Sequence, residues 1–211
     1  MSFSPNARIK GLYAITPDEP DTDVLVRKVR LALSGGAKIL QYRNKTAEAE
    51  LRLVQAKTLM ELATEFSVPL IINDDAVLAQ RVDADGVHLG SEDGSIASAR
   101  MVLGGGKLIG VSCYNRLDLA REAVREGADY IAFGSFFASM VKPEAVSAPL
   151  ELLRQARREL AVPIVAIGGI STHNAKQLLD AGADALAVIS AVFGAADIYS
   201  AARQFSALDY S

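Results

Sequence analysis

Three joints in this 211-residue chain have one form: SGGAKIL (34–40), REGADYIAF (125–133) and DAGADALAV (180–188). In each, a glycine ends a helical pattern and a small residue, twice followed by Asp, feeds an apolar run. Glycine at a helix C-terminus supplies the left-handed turn that a returning strand needs. Strand-like runs lie at 11–16, 37–42, 68–73, 84–89, 107–112, 128–134, 162–168 and 183–190. They are continuously apolar rather than alternating, which marks strands buried on both faces, as in a parallel sheet. Helical patterns fall between and after them, at 24–34, 47–66, 75–82, from 95 to the glycines at 104–106, and at 117–126, 149–160, 173–181 and 196–208. About eight repeats of one β-α unit predict a single (β/α)₈ TIM barrel over 1–211, with 1–10 as an N-terminal extension. An open doubly wound sheet is the structural alternative, but no G-x-G-x-x-G follows the first strand.

Composition fits one such unit. Half of the residues are apolar and Trp is absent, so Leu, Ile, Val and Ala must fill the core. The formal charge of −3 and the lack of a basic tail exclude an electrostatic footprint for nucleic acid or a membrane surface. One cysteine, Cys113, excludes an internal disulfide and a cysteine-rich metal site. Residues 1–10 lack a signal-type apolar stretch, and no run is long and uncharged enough to span a bilayer, so a cytoplasmic protein is expected. Nothing in the sequence encodes the oligomeric state.

In a barrel, function gathers where strands end. The second strand ends in Gln41-Tyr42-Arg43-Asn44-Lys45. While the chain stays extended, Gln41, Arg43 and Lys45 share a face, so an amide and two cations stand together. Such a set suits a strong anion such as a diphosphate; the alternative is a strand that has ended in a solvated helix start. Later ends supply Asn73 and Asp74, then His88 with Glu92 and Asp93, Ser112, Ser139 and Lys142, Gly168-Gly169, and Ile189-Ser190. Asp74 and Asp93, beside Arg43, Lys45 and Lys142, make sense if Mg²⁺ bridges the carboxylates to phosphate oxygens. The competing roles are a helix N-cap for Asp74 and a plain loop position for Asp93, with Glu92 as a rival ligand. The glycine pair with Ile189-Ser190 can offer backbone N–H groups to a phosphate, or simply make a tight turn. Cys113 is expected to pack as a small apolar residue, His88 to position rather than to act as a base, and His173 to cap a helix or face solvent.

The motifs QYRNK, IIND, DGVHLGSED, IGVS, the G-x-x-x-x-S-x-x-K loop from Gly134 to Lys142, IVAIGGI and VIS, in this order, resemble the thiamine-phosphate synthase (thiamine-phosphate pyrophosphorylase) family. The resemblance implies a transferase that joins a pyrimidine methyl diphosphate to a thiazole phosphate, carboxylated or not, and releases pyrophosphate. It implies a dissociative reaction in which the leaving group departs from a stabilised pyrimidine carbocation. By that resemblance Gln41, Arg43, Lys45, Asn73, Ser112 and Lys142 contact the diphosphate substrate, with Tyr42 and Asn44 of the same motif at the binding site. Arg43, Lys45, Lys142 and Ser112 are then the catalytic residues, and Asp74 and Asp93 hold Mg²⁺. Ser139, Met140, Val141, Gly169, Ile189 and Ser190 hold the thiazole phosphate, with His88 lining the pocket. The chain departs from the family's P-T-x-T-K loop, reading Ala138-Ser139-Met140-Val141-Lys142. Val141 loses a hydroxyl there, which bears on thiazole-phosphate affinity. A thiazole tautomerase on the same barrel and a non-catalytic phosphometabolite sensor are the rival functions. The joint presence of Gln41, Arg43, Lys45, Asp74 and Asp93 argues against the first, because isomerisation has no use for a diphosphate clamp.

Overall fold

In the computed structural model, residues 9–138 and 147–210 are described; the Ser139, Met140, Val141 and Lys142 of the expected loop lie outside them. The strands β1 (Gly11–Ile15), β2 (Ile39–Tyr42), β3 (Leu70–Asn73), β4 (Gly86–Leu89), β5 (Leu108–Tyr114), β6 (Tyr130–Phe133), β7 (Ile164–Ile167) and β8 (Ala185–Val188) pair in sequence order, all parallel. The pairing of β8 with β1 closes the barrel. Around it lie α1 (Thr22–Ser34), α2 (Ala49–Glu65), α3 (Ala76–Arg81), α4 (Ile96–Leu103), α5 (Leu117–Arg125), α6 (Leu150–Glu159), α7 (Ala175–Asp180), α8 (Ser190–Phe193) and α9 (Ile198–Ser206).

The unbroken apolar strands divide their side chains between two cores. Tyr13, Ile15, Ile39, Ile71, Leu108, Tyr130, Val165, Ala185 and Ala187 fill the lumen. Their neighbours in sequence, such as Leu12, Ala14, Leu40, Ile72, Val87, Ile131 and Leu186, pack against the helices. Both faces are buried, so neither shows a polar alternation. Cys113 belongs to the outer core and is buried, as expected, and that burial pushes its thiol up to about 12.

The recurring joints do two jobs. Gly36, Gly127 and Gly182 take φ of 102°, 96° and 108°, the left-handed region open to glycine. The Asp that precedes each of β4, β6 and β8 reaches sideways to the odd-numbered strand before it. Asp85 accepts from the Leu70 N–H at 3.0 Å, Asp129 from the Ile109 N–H at 2.8 Å, and Asp184 from the Ile164 N–H at 2.7 Å. Arg100 braces Asp129 at 2.7 Å, and Arg157 braces Asp184. This ring of carboxylates sits at the N-terminal ends of the strands, away from the site, so its role is stability. Replacing Asp129 with Ala leaves the Ile109 N–H without its acceptor and takes the carboxylate from Arg100, which keeps its bonds to the Lys107 and Gly127 carbonyls. The expected loss is about 1–3 kcal/mol, read as a melting midpoint lower by roughly 2–10 °C with catalytic constants unchanged.

Two differences from the sequence expectations matter for the site. β5 runs on to Tyr114, with a shift of register against β6 between Ser112 and Tyr114. The chain after β8 turns at once into the four-residue helix α8, so Ser190 opens a helix instead of ending a strand. No helix among the described residues is long and apolar enough to cross a membrane.

Candidate functional site

The C-terminal ends of the strands surround a cleft of about 690 Å³. Gln41, Arg43, Lys45, Asn73, Asp74, His88, Asp93, Ser112, Gly169, Ile189 and Ser190 all line it, with Glu92 and Gly168. Tyr42 and Asn44, expected at the binding site, do not line the cleft in this structure. The Tyr42 hydroxyl donates to Gln55 Oε1 on α2 at 2.8 Å, and Asn44 Nδ2 donates to the same oxygen at 3.1 Å and to the Glu19 carbonyl at 3.0 Å. Alternation explains the split: Gln41, Arg43 and Lys45 face in, so the two residues between them face the helix layer.

The cationic wall is built by residues that the motif does not contain. Thr16, fully buried beyond β1, donates its hydroxyl to the Arg43 carbonyl at 2.9 Å and accepts from the Arg43 N–H at 2.8 Å. Asp18 accepts from Arg43 Nη1 at 3.2 Å and from the Lys45 N–H at 2.8 Å. The acidic loop after β1 therefore aims the two cations. The signal for Thr16 was a hydroxyl ending an apolar strand; for Asp18 it was an acid among others after Pro17.

The carboxylates face these cations. Asp74 lies 3.3 Å from Lys45 Nζ and has a φ of 66°. Its N–H donates to the His88 carbonyl at 2.8 Å. The helix-cap role falls instead to Asp75, whose side chain accepts from the Leu78 N–H at 2.8 Å. Asp74 is thus held in a left-handed conformation that few residues with a Cβ adopt, with its carboxylate in the cleft. Asp93 caps its own loop, accepting from the Gly90 N–H at 2.8 Å. The Tyr114 hydroxyl supports that loop through Ser91 Oγ at 3.0 Å, a residue placed there by the extension of β5.

Burial first, then the hydrogen-bonded Asp93 carboxyl, raises the pKa of Asp74 above the ordinary carboxylate range, while Lys45 pulls against the rise. An acid raised in the folded state binds its proton more tightly there than in the unfolded chain. Between those two values stability falls as pH rises. Asp74→Asn, which tolerates the same backbone, is expected to raise the melting midpoint of the ligand-free protein at neutral pH and to flatten its fall above the ordinary carboxylate range. Thermal melts across that range check this.

Could this arrangement hold Mg²⁺? Among the described residues no group of three His, Cys, Asp or Glu is placed to hold a metal. Mg²⁺ is commonly held by one or two carboxylates, with substrate phosphates and water completing the shell. Two adjacent acids, Asp74 and Asp93, beside the Arg43 and Lys45 cations match that donor set.

Opposite the cations, Gly168 and Gly169 turn with φ of 102° and 62°. A Cβ on Gly169 would meet the Ala138 carbonyl oxygen at 2.4 Å and that of Phe137 at 2.7 Å, so only glycine lets this turn lie against the loop after β6. On the cleft floor, His88 is enclosed, and burial lowers its pKa to about 4. A neutral imidazole of that basicity positions partners and does not collect protons at neutral pH. His173 is exposed beside α7.

A profile of the family described as "Thiamine monophosphate synthase" matches residues 12–192. A thiamine-phosphate synthase of Nitrosospira multiformis is 55% identical over 207 residues, 98% of this chain and 88% of the relative. One of Methylobacillus flagellatus is 56% identical over 200 residues, 95% of each. The solved thiamine phosphate pyrophosphorylase of Pyrococcus furiosus superposes with a TM-score of 0.85 at 39% identity, covering 95% of each chain. A 3-hexulose-6-phosphate synthase, 18% identical with a TM-score of 0.68, shares the fold. The chain belongs to the thiamine monophosphate synthase family.

Proposed function

We propose that this cleft joins 4-amino-2-methyl-5-(diphosphomethyl)pyrimidine to thiazole phosphate, or to its carboxylated form, giving thiamine phosphate and pyrophosphate. The reading takes 1–211 as one catalytic barrel in the cytoplasm. The observation that carries it is that Arg43, Lys45, Asp74 and Asp93 line one cleft from neighbouring strand ends, with Lys45 Nζ 3.3 Å from Asp74.

The chemistry follows from charge. When the bond to the diphosphate breaks, negative charge grows on the leaving oxygen. Arg43 and Lys45, already aimed by Asp18, meet that charge without reorganising. Ser112 and Asn73 line the same cleft and supply neutral hydrogen-bonding groups. Lys142 is assigned to the same wall on the sequence resemblance. Asp74 and Asp93 would hold Mg²⁺, which when bound neutralises charge on the diphosphate oxygens. Gly168-Gly169 and Ile189-Ser190 are assigned to the thiazole phosphate, so that the thiazole nitrogen faces the carbocation as pyrophosphate departs. The step needs no nucleophile or base from the protein, which accords with a neutral, enclosed His88 and a buried Cys113. Holding both partners in one cavity supplies the remaining advantage, orientation.

Incubating the protein with both substrates and Mg²⁺ tests this. Thiamine phosphate and pyrophosphate formed in equal amounts bear the reading out. An isomerised thiazole phosphate with no coupling, or binding without turnover, would replace it with the tautomerase or the sensor.

A further inference from the structure

Five polar side chains form an unbroken hydrogen-bonded line across the barrel lumen. Gln41 Nε2 donates to Tyr13 Oη at 2.8 Å, and Tyr13 Oη meets Tyr130 Oη at 2.9 Å. Tyr130 Oη meets His88 Nδ1 at 3.1 Å, and His88 Nε2 meets Ser112 Oγ at 2.9 Å. Tyr130 also stacks on His88, with ring centres 5.6 Å apart. The line joins β2, β1, β6, β4 and β5. Its two ends, Gln41 on β2 and Ser112 on β5, both line the cleft. Tyr13 and Tyr130 belong to none of the family motifs named above, and no step of the proposed reaction uses them.

Each link holds one hydrogen, and a hydroxyl that accepts twice leaves its own hydrogen over, so the sense of the line is set by where a spare hydrogen can be used. An amide NH₂ can only donate. Tyr13 therefore accepts from Gln41, and because Tyr13 is 1% exposed its own hydrogen goes to Tyr130 rather than to solvent. Tyr130 spends its hydrogen on His88 Nδ1, which must be the bare nitrogen. The imidazole hydrogen is then on Nε2 and goes to Ser112 Oγ. The Ser112 hydrogen is left over, and it faces the cleft. In the opposite sense, Ser112 would spend its hydrogen on His88 and have none for a ligand.

We infer that the line from Gln41 through Tyr13, Tyr130 and His88 is a directional relay that holds His88 as the Nε2–H tautomer and so presents the Ser112 hydroxyl as a donor to an anionic oxygen in the cleft. Tyr13 and Tyr130 are positioning residues acting through His88. The inference rests on the proposed function only in naming that oxygen as one of the departing diphosphate. The tautomer itself is a property of the ligand-free protein.

The chain has two histidines, so ¹⁵N-histidine labelling gives two ring systems, and His173→Gln identifies that of His88. The expected spectrum at pH 8 shows Nδ1 bare and Nε2 protonated. A protonated Nδ1, with or without a proton on Nε2, overturns the relay. The second variant is Gln41→Glu, nearly the same shape but, when ionised, only an acceptor. Tyr13 must then donate to residue 41, and every link reverses. His88 is expected to change to the Nδ1–H tautomer, and an unchanged Nε2–H tautomer would overturn the directional link. Tyr130→Phe is expected to lower kcat about tenfold, the scale of one weakened charge-assisted hydrogen bond, with KM for the diphosphate changed less than about twofold. An unchanged kcat in a folded Tyr130→Phe protein contradicts the positioning role. If the wild-type tautomer is as expected and no thiamine phosphate forms, the relay stands and the assigned reaction falls.

Discussion

Replacing Asp93 with Asn is expected to lower kcat/KM in Mg²⁺ by about a thousandfold, the scale of charge stabilisation by a bound cation. Asn is the informative choice. Asp93 accepts from the Gly90 N–H at 2.8 Å, and the Asn carbonyl can keep that bond and the loop with it. What the variant loses is one negative charge beside Asp74. The melting midpoint is expected to stay within about 3 °C, or to rise, because two acids of like charge no longer crowd one another. Steady-state kinetics with a thermal melt on the same sample check both. Near-normal turnover in Asp93→Asn would sink the assignment of a cation to this pair.

Arg43→Ala is expected to raise KM for the pyrimidine diphosphate roughly 100-fold, while KM for the thiazole phosphate moves less than about threefold. The loss has two parts. The guanidinium no longer meets the diphosphate, and the Asp18 carboxylate that it partnered at 3.2 Å is left facing the incoming anion. Arg43→Lys keeps the charge but not the fork that pairs with two oxygens at once. An intermediate rise of about tenfold is expected for it. Initial rates with each substrate varied separately measure these values. An effect confined to the thiazole phosphate would exchange the two subsites.

The strands and the inward set Gln41, Arg43 and Lys45 were legible because both follow from period-two geometry in a buried parallel strand. The same geometry turns Tyr42 and Asn44 outward, where the structure has them on Gln55. Motif resemblance alone had drawn them into the site, because a motif does not say which side chains face the ligand and which face the scaffold. Thr16 and Asp18 were not legible as site residues. They touch Arg43 across 27 and 25 positions of sequence, and only closure of β1 against β2 brings them together. Helix α8 has four residues, too few to show a period. Tyr13 and Tyr130 lie within apolar runs, where nothing in the sequence shows that their hydroxyls meet in the lumen. The helix cap weighed for Asp74 falls one residue later, on Asp75, and the left-handed turn at Asp74 separates the two roles.

The cation-and-carboxylate clamp is the centre of this account, and one assay addresses it directly. Thiamine phosphate formation by the unmodified protein is followed in Mg²⁺, then in excess EDTA, then with Mg²⁺ restored. Product is expected in the first, its loss in the second and its recovery in the third. Formation that continues undiminished in EDTA would contradict it.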